Sequence, residues 1–185
     1  MQVSVLPAGE VKGNVLEALD ADLRRAGVGV TTLPSSEVPS TAHNPERDQY
    51  HAPDLLEEAR WSHGEHVLVV TEVDLYVDPL NFVFGQADVG GQAAVISLHR
   101  LSSDDPGVFR LRALKEALHE LGHNVGLDHC VEATCVMHFS NELADTDRKG
   151  PNLCSDCVER VGGNPPWRVP PSRPSRKPAS SQPSP

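Results

Sequence analysis

Apolar residues enter this chain as short β-branched runs, separated by stretches in which they recur every three or four positions. Gln2-Val3-Ser4-Val5-Leu6 is one such run, stopped by Pro7, and predicts a buried first strand. Gly13-Asn14 offers a cap, and Val15, Leu16, Leu19 and Leu23 follow at helical spacing with charges between them. An amphipathic helix is expected over Asn14 to Arg25, closed by Gly27. Val28 to Leu33 predicts a second strand, so the chain opens as a βαβ unit. Pro34 to Arg47, rich in Pro, Ser and Thr, is expected to be an ordered surface loop. A helix at about Ala52 to Ser62 then turns Leu55, Leu56 and Ala59 inward. His66-Val67-Leu68-Val69-Val70-Thr71 is the most apolar run and belongs at the sheet centre.

Further on, Asn81 to Phe84 and Gln92 to Ser97 flank the glycine-rich Gly85 to Gly91, as strands flank a loop or hairpin. After a polar loop at Leu101 to Pro106, Leu111, Leu114, Ala117, Leu121 and Val125 recur at three and four, predicting a long helix over Val108 to Val125. A last helix is expected near Cys154 to Val161. From Gly163 to Pro185 the composition turns to Pro, Ser and Arg, a segment expected to bury no core and to be disordered. The fold class is therefore α/β: a twisted mixed sheet with two helices behind it, the long helix below and a small C-terminal part. Residues 1–162 form one domain and 163–185 a tail.

The chemistry concentrates in His119 to Met137. His119 and His123 stand four apart, so on a helix both imidazoles share one face and can share one metal ion. Glu120 lies about 100° further round, beside the metal and not at it, which suits a general base. Gly126 ends the helix by accepting a left-handed backbone, and the turn returns His129 as a third ligand. Three neutral imidazoles on zinc leave a position open for water, whose pKa falls to about 7. Glu120 can take its proton as it attacks a carbonyl carbon, so amide hydrolysis is the reaction implied. Asp128 adjoins His129, but adjacent residues on a tight loop rarely converge on one ion. The other histidines, His43, His51, His63, His66, His99 and His138, have no ligand spacing.

Cys130, Cys135, Cys154 and Cys157 are all the cysteines of the chain. As C-x4-C and C-x2-C they fit a second, tetrahedral zinc, which would tie the last helix to the loop after Gly126; free buried thiols or two disulfides are the alternatives. With no basic n-region, long apolar run or membrane span at the start, a cytoplasmic location is expected, where thiols stay reduced and available to metal.

H-E-x-x-H-x-x-G-x-x-H followed by Met137 resembles the metzincin signature. With the four cysteines and Asn81-Phe82-Val83-Phe84-Gly85 upstream, the chain resembles the archaemetzincins, a metzincin family with a four-cysteine second zinc site. The resemblance implies two zinc ions per chain, one catalytic on His119, His123 and His129 and one structural on Cys130, Cys135, Cys154 and Cys157. It implies a zinc metallopeptidase with Glu120 as base and Met137 as an apolar floor beneath the histidines. No tyrosine follows Met137, so a metal-reaching tyrosine is absent and oxyanion stabilisation falls mainly to zinc. It also implies that an edge strand binds substrate backbone as an added strand, here at Phe82 to Gly91.

Charge narrows the partners. The chain carries −10 overall; the segment from Gly163 holds four basic and no acidic residues, leaving −14 on residues 1–162. Such a body repels phosphates and argues against nucleic acid as a partner; the acidity makes a solvated surface or a patch that recruits basic peptides. A peptide or protein substrate, no membrane and a monomer are expected. The competing reading is a zinc-stabilised peptide-binding or regulatory protein with an occluded, weakly active site. A weaker third is hydrolysis of a non-peptide amide.

Overall fold

The computed structural model describes residues 1–171 of the chain. The first strand, β1 (Gln2–Ala8), leads into α1 (Gly13–Arg25) and β2 (Gly29–Thr32). Pro7 does not stop β1, because its carbonyl faces the β2 side beyond Thr32 and accepts from the Ser36 amide at 2.9 Å. A proline there removes no ladder hydrogen bond. Lys12, not Asn14, is the N-cap residue of α1, while Gly27 at φ +91° ends that helix.

The expected surface loop holds a 3-10 turn at Ser40–Ala42 and β3 (His43–Asn44), which pairs antiparallel with β4 (Gln49–His51). The next helix, α2 (Ala52–Trp61), leads to β5 (His66–Thr71) and β6 (Leu75–Tyr76), the latter joined to β4 in a three-stranded sheet β3-β4-β6. These strands are two or three residues long, below what hydrophobic periodicity can register. Two strands, β7 (Gly85–Ala87) and β8 (Ala93–Ser97), precede α3 (Pro106–Asn124). Asn81 to Phe84 is not a strand. The pairing lies in the glycine-rich stretch itself, where Gln86 meets Val95 across the ladder, because β8 supplies the partner. Two short helices, α4 (Leu143–Arg148) and α5 (Ser155–Arg160), follow; only the second was expected.

The main sheet has the order β2-β1-β5-β8-β7, parallel except for β7 at the edge. The most apolar strand, β5, does sit at its centre. Its side chains alternate: Leu68 and Val70 join the core with Leu23 of α1 and Leu118 and Leu121 of α3, whereas Val67 and Val69 pack with Leu55, Leu56 and Ala59 of α2. The two backing helices thus lie on opposite faces, with α1 beside α3. The reason is topological. The chain steps from β1 outward to β2, then reverses past β1 to β5, and right-handed crossovers in opposite directions place their helices on opposite faces.

The segment after Gly162 also departs from expectation. Trp167 is 3% exposed and its Nε1–H donates to the Pro151 carbonyl at 3.2 Å. The Arg168 amide donates to Ala26, and Asn152 exchanges two hydrogen bonds with Val169. One buried tryptophan and backbone pairing hold a stretch whose average composition is that of a loose tail. The remainder of the expected disordered tail, 172–185, lies outside the described residues.

Candidate metal centre and active-site cleft

Helix α3 is fixed at its start by Asp105, whose carboxylate accepts from the Gly107 amide at 2.7 Å and the Val108 amide at 3.3 Å, with Pro106 in the first turn. Every residue from Ala113 to Asn124 is buried. Leu111, counted toward the core face by spacing, is 43% exposed, because the core side of the helix begins only at Ala113. At the far end Gly126 takes φ +90°, and the Leu127 amide returns to the Gly122 carbonyl at 3.0 Å.

This turn brings the three histidines together. The Nε2 atoms of His119 and His123 lie 3.2 Å apart, and the His129 ring centroid is 5.4 Å and 4.9 Å from theirs. The backbone decides which nitrogens face inward. His119 Nδ1 lies 2.7 Å from the Val136 carbonyl and His123 Nδ1 lies 2.7 Å from the Leu127 carbonyl. A carbonyl only accepts, so each Nδ1 carries the proton and each Nε2 presents a lone pair to the other. Burial lowers the basicity of His119 strongly and that of His123, holding both rings toward the neutral form, and partial desolvation lowers that of the more exposed His129. Two lone pairs at that distance repel unless a cation lies between them. With zinc–nitrogen bonds near 2.05 Å, tetrahedral geometry sets the nitrogens about 3.3 Å apart, so the donor set fits zinc.

The four cysteines form a second cluster. Cys130 and Cys154 Sγ lie 3.7 Å apart and Cys135 and Cys157 Sγ 3.8 Å apart, with all four sulfurs within 4.8 Å of one another. Four thiolates about 2.3 Å from one zinc would have sulfurs about 3.8 Å apart, whereas a disulfide needs about 2.05 Å. The spacing therefore suits a shared ion and excludes two disulfides. Burial pushes the Cys135 and Cys157 thiols up, as expected where thiolates await a cation. The Asn152 carbonyl accepts from the Val136 amide, and the Cys154 amide lies 3.4 Å from Cys135 Sγ, so the cluster joins α5 to the loop carrying His129.

Glu120 is not among the converging donors. It is buried in the cleft wall, where burial pushes its carboxyl well above the ordinary value, with Glu116 reinforcing the shift and Lys149 opposing it. It lies close under the edge strand: a Cβ at Gly85 would stand 2.6 Å from Glu120 Oε1 and 2.7 Å from the Val95 carbonyl. The cleft, about 250 Å³, is lined by the histidines together with Phe82, Phe84, Val89 and Phe139, the last with its ring 4.9 Å from that of His129. The Ser97 amide donates to Phe84 and the Asp88 amide to Ala93, so by alternation the backbone groups of Gly85 and Ala87 point away from β8. This open edge falls inside the expected 82–91. Behind α3, Met137 is fully buried, and a Cβ at Gly122 would overlap its sulfur and approach Trp167 Cη2 to 3.5 Å.

Asp128 is exposed and outside the cluster; His43, His51, His63, His66, His99 and His138 also lie outside it, His63 and His99 exposed and the other four half-buried, and His138 Nδ1 lies 3.0 Å from the Cys130 carbonyl. Spacing alone missed Glu116 and Lys149. Lys149 Nζ lies 3.0 Å from Glu116 Oε1, with the two side chains 0% and 3% exposed, and Glu116 also accepts from the Thr146 hydroxyl at 3.1 Å. Glu116 was detectable as a second carboxylate four residues before Glu120; nothing in the sequence marked Lys149.

Comparison with known proteins gives a consistent result. The profile of Peptidase family M54 matches residues 45–162. An archaemetzincin of Methanocaldococcus jannaschii is 38% identical over 167 residues, covering 87% of this chain and 93% of its own. The crystal structure of archaemetzincin from Archaeoglobus fulgidus, complexed with malonate, superposes with a TM-score of 0.80 at 37% identity, covering 86% of this chain and 99% of that one. That of Methanopyrus kandleri gives 0.80 at 37% identity, covering 87% and 93%.

Proposed function

The chain belongs to Peptidase family M54 and is a zinc metallopeptidase of archaemetzincin type, and on that premise we propose that it hydrolyses peptide bonds with His119, His123 and His129 holding the catalytic metal and Glu120 as general base. The observation that carries this reading is the pair of Nε2 lone pairs turned on one point by the Val136 and Leu127 carbonyls. A zinc ion there would supply a Lewis acid that polarises the scissile carbonyl and brings a water to a pKa of about 7. Glu120 takes the proton of the attacking water and returns it to the leaving nitrogen. Its raised affinity for protons, imposed by burial, suits both halves of that transfer. The outward backbone groups of Gly85 and Ala87 pair with the substrate backbone as an added strand, which lays the scissile bond between Glu120 and the histidines.

Cys130, Cys135, Cys154 and Cys157 hold a second, structural zinc in this reading, making two per chain. The protein is a cytoplasmic monomer acting on peptides or proteins, with no nucleic-acid or membrane partner, and its catalytic domain extends past 162 to include Trp167. Among the described residues no helix is long and apolar enough to cross a membrane. The test is elemental analysis of purified protein: two zincs in the wild type, falling to one in His119→Ala/His123→Ala. Glu120→Gln should keep both zincs and lose peptide turnover. A single zinc that survives the double substitution, or full turnover without Glu120, would overturn the assignment.

A further inference from the structure

The three histidines are not held alike. His119 and His123 are buried, each locked from behind by a backbone carbonyl at 2.7 Å. His129 is exposed, and among the described residues neither of its ring nitrogens has a protein hydrogen-bond partner. What meets its ring is Phe139, with centroids 4.9 Å apart and planes at 61°, an edge-to-face contact at the mouth of the cleft. Phe139 is itself placed by the same strand of contacts that carries His129. The Cys130 amide donates to the Met137 carbonyl at 2.9 Å, and His138 Nδ1 lies 3.0 Å from the Cys130 carbonyl, so residues 137–139 move with residues 129–130.

We propose that Phe139 is the positioning residue of His129, setting its ring orientation in the way the two carbonyls set the others. The inference rests on the reading that the three histidines hold zinc. A ligand without a hydrogen-bonded partner is free to rotate about its Cβ–Cγ bond, and each rotation withdraws its donor from the shared point. The edge of Phe139 blocks that rotation and shields the solvent side of the ring, so His129, otherwise the first ligand to dissociate, stays in place. Outer partners of metal ligands commonly set affinity by roughly 10- to 100-fold, and an aromatic contact falls at the lower end of that range.

The experiment is a chelator competition that measures the affinity and loss rate of each zinc in wild type, Phe139→Ala, Phe139→Tyr and His119→Ala/His123→Ala. Phe139→Ala should weaken the histidine-bound zinc about tenfold and hasten its loss, while the cysteine-bound zinc is unchanged. Phe139 is 41% exposed, so its truncation should leave the thermal midpoint of the one-zinc form where it was. Phe139→Tyr, which keeps the ring, should bind at least as tightly as wild type. If wild type loses one zinc on the double histidine substitution and yet Phe139→Ala binds within twofold, the positioning role is wrong while the metal assignment stands. If the double substitution costs no zinc, the metal assignment fails and this role falls with it.

Discussion

Lys149 has a side chain with 0% exposure, and its ammonium lies 3.0 Å from the Glu116 carboxylate in the wall of the active-site cleft. Replacing it by methionine keeps the volume but leaves Glu116 buried with only the Thr146 hydroxyl to satisfy it. Breaking one side of a buried pair costs about 3–5 kcal/mol, because the surviving charge has neither water nor a counterion. For a domain of this size each kcal/mol is worth about 2–4 °C, so Lys149→Met should lower the thermal midpoint by roughly 6–20 °C. The pair itself is worth far less than this loss, since both partners were desolvated to make it. Adding Glu116→Gln, which removes the stranded charge while keeping an acceptor for Thr146, should therefore recover more than half of the deficit. Circular dichroism melting at matched zinc loading would measure both, as bound metal contributes stability of its own. A Lys149→Met midpoint within 2 °C of wild type (on the order of 1 kcal/mol or less), or a double variant no better than the single one, would refute the account of this pair.

Three other expectations are separable from it. Gly85→Ala would drive a methyl group against Glu120 Oε1 at 2.6 Å, so kcat should fall about 100-fold at unchanged zinc content; steady-state kinetics with wild-type kcat would show that the carboxylate can retreat freely. Trp167→Ala should cost about 3–5 kcal/mol by denaturant unfolding, since a buried indole beside Met137 and Gly122 would leave a cavity behind α3; a loss below about 1 kcal/mol would return the segment to the tail. Burial depresses the basicity of His119 below the ordinary 6.5, so the neutral ring contributes stability that is present above about pH 6.5 and lost as pH falls toward its lowered value. Glu120, shifted upward, works in the opposite sense on acidification, so the metal-free Glu120→Gln variant isolates the histidine effect; its unfolding midpoint should drop between pH 7 and 5, and a flat profile would contradict the shift.

The candidate metal centre was legible because its parts are local. His119, Glu120 and His123 are placed by the pitch of one helix, His129 by a single glycine turn, and the cysteines by short intervals on either side of one loop. The central strand β5 was legible for a related reason: a strand buried on both faces reads as a continuous apolar run, here Val67 to Val70. What escaped notice depends on separation. Lys149 meets Glu116 across 33 residues, and Trp167 reaches α3 from a segment whose composition otherwise describes a loose chain. The opposite placement of α1 and α2 follows from strand order, which no single stretch records.

The strand expected at Asn81 to Phe84 but formed at Gly85–Ala87 shows how one signal can hold two meanings. Glycine at 85 lowers strand propensity, and the stretch to Gly91 therefore looks like a loop between Asn81–Phe84 and β8. Its backbone nonetheless joins the ladder, since β8 offers a partner whatever side chains line up against it. The glycine is there for another neighbour: Glu120 approaches so closely that no Cβ fits between them. Gly122 answers the same constraint on the other side of α3, where the Met137 sulfur occupies the space a side chain would need. Missing side chains at both positions let the helix that carries the histidines lie tight between the edge strand β7 and the buried Met137. A peptide added to β7, as proposed, would then meet the Glu120 carboxylate beneath it.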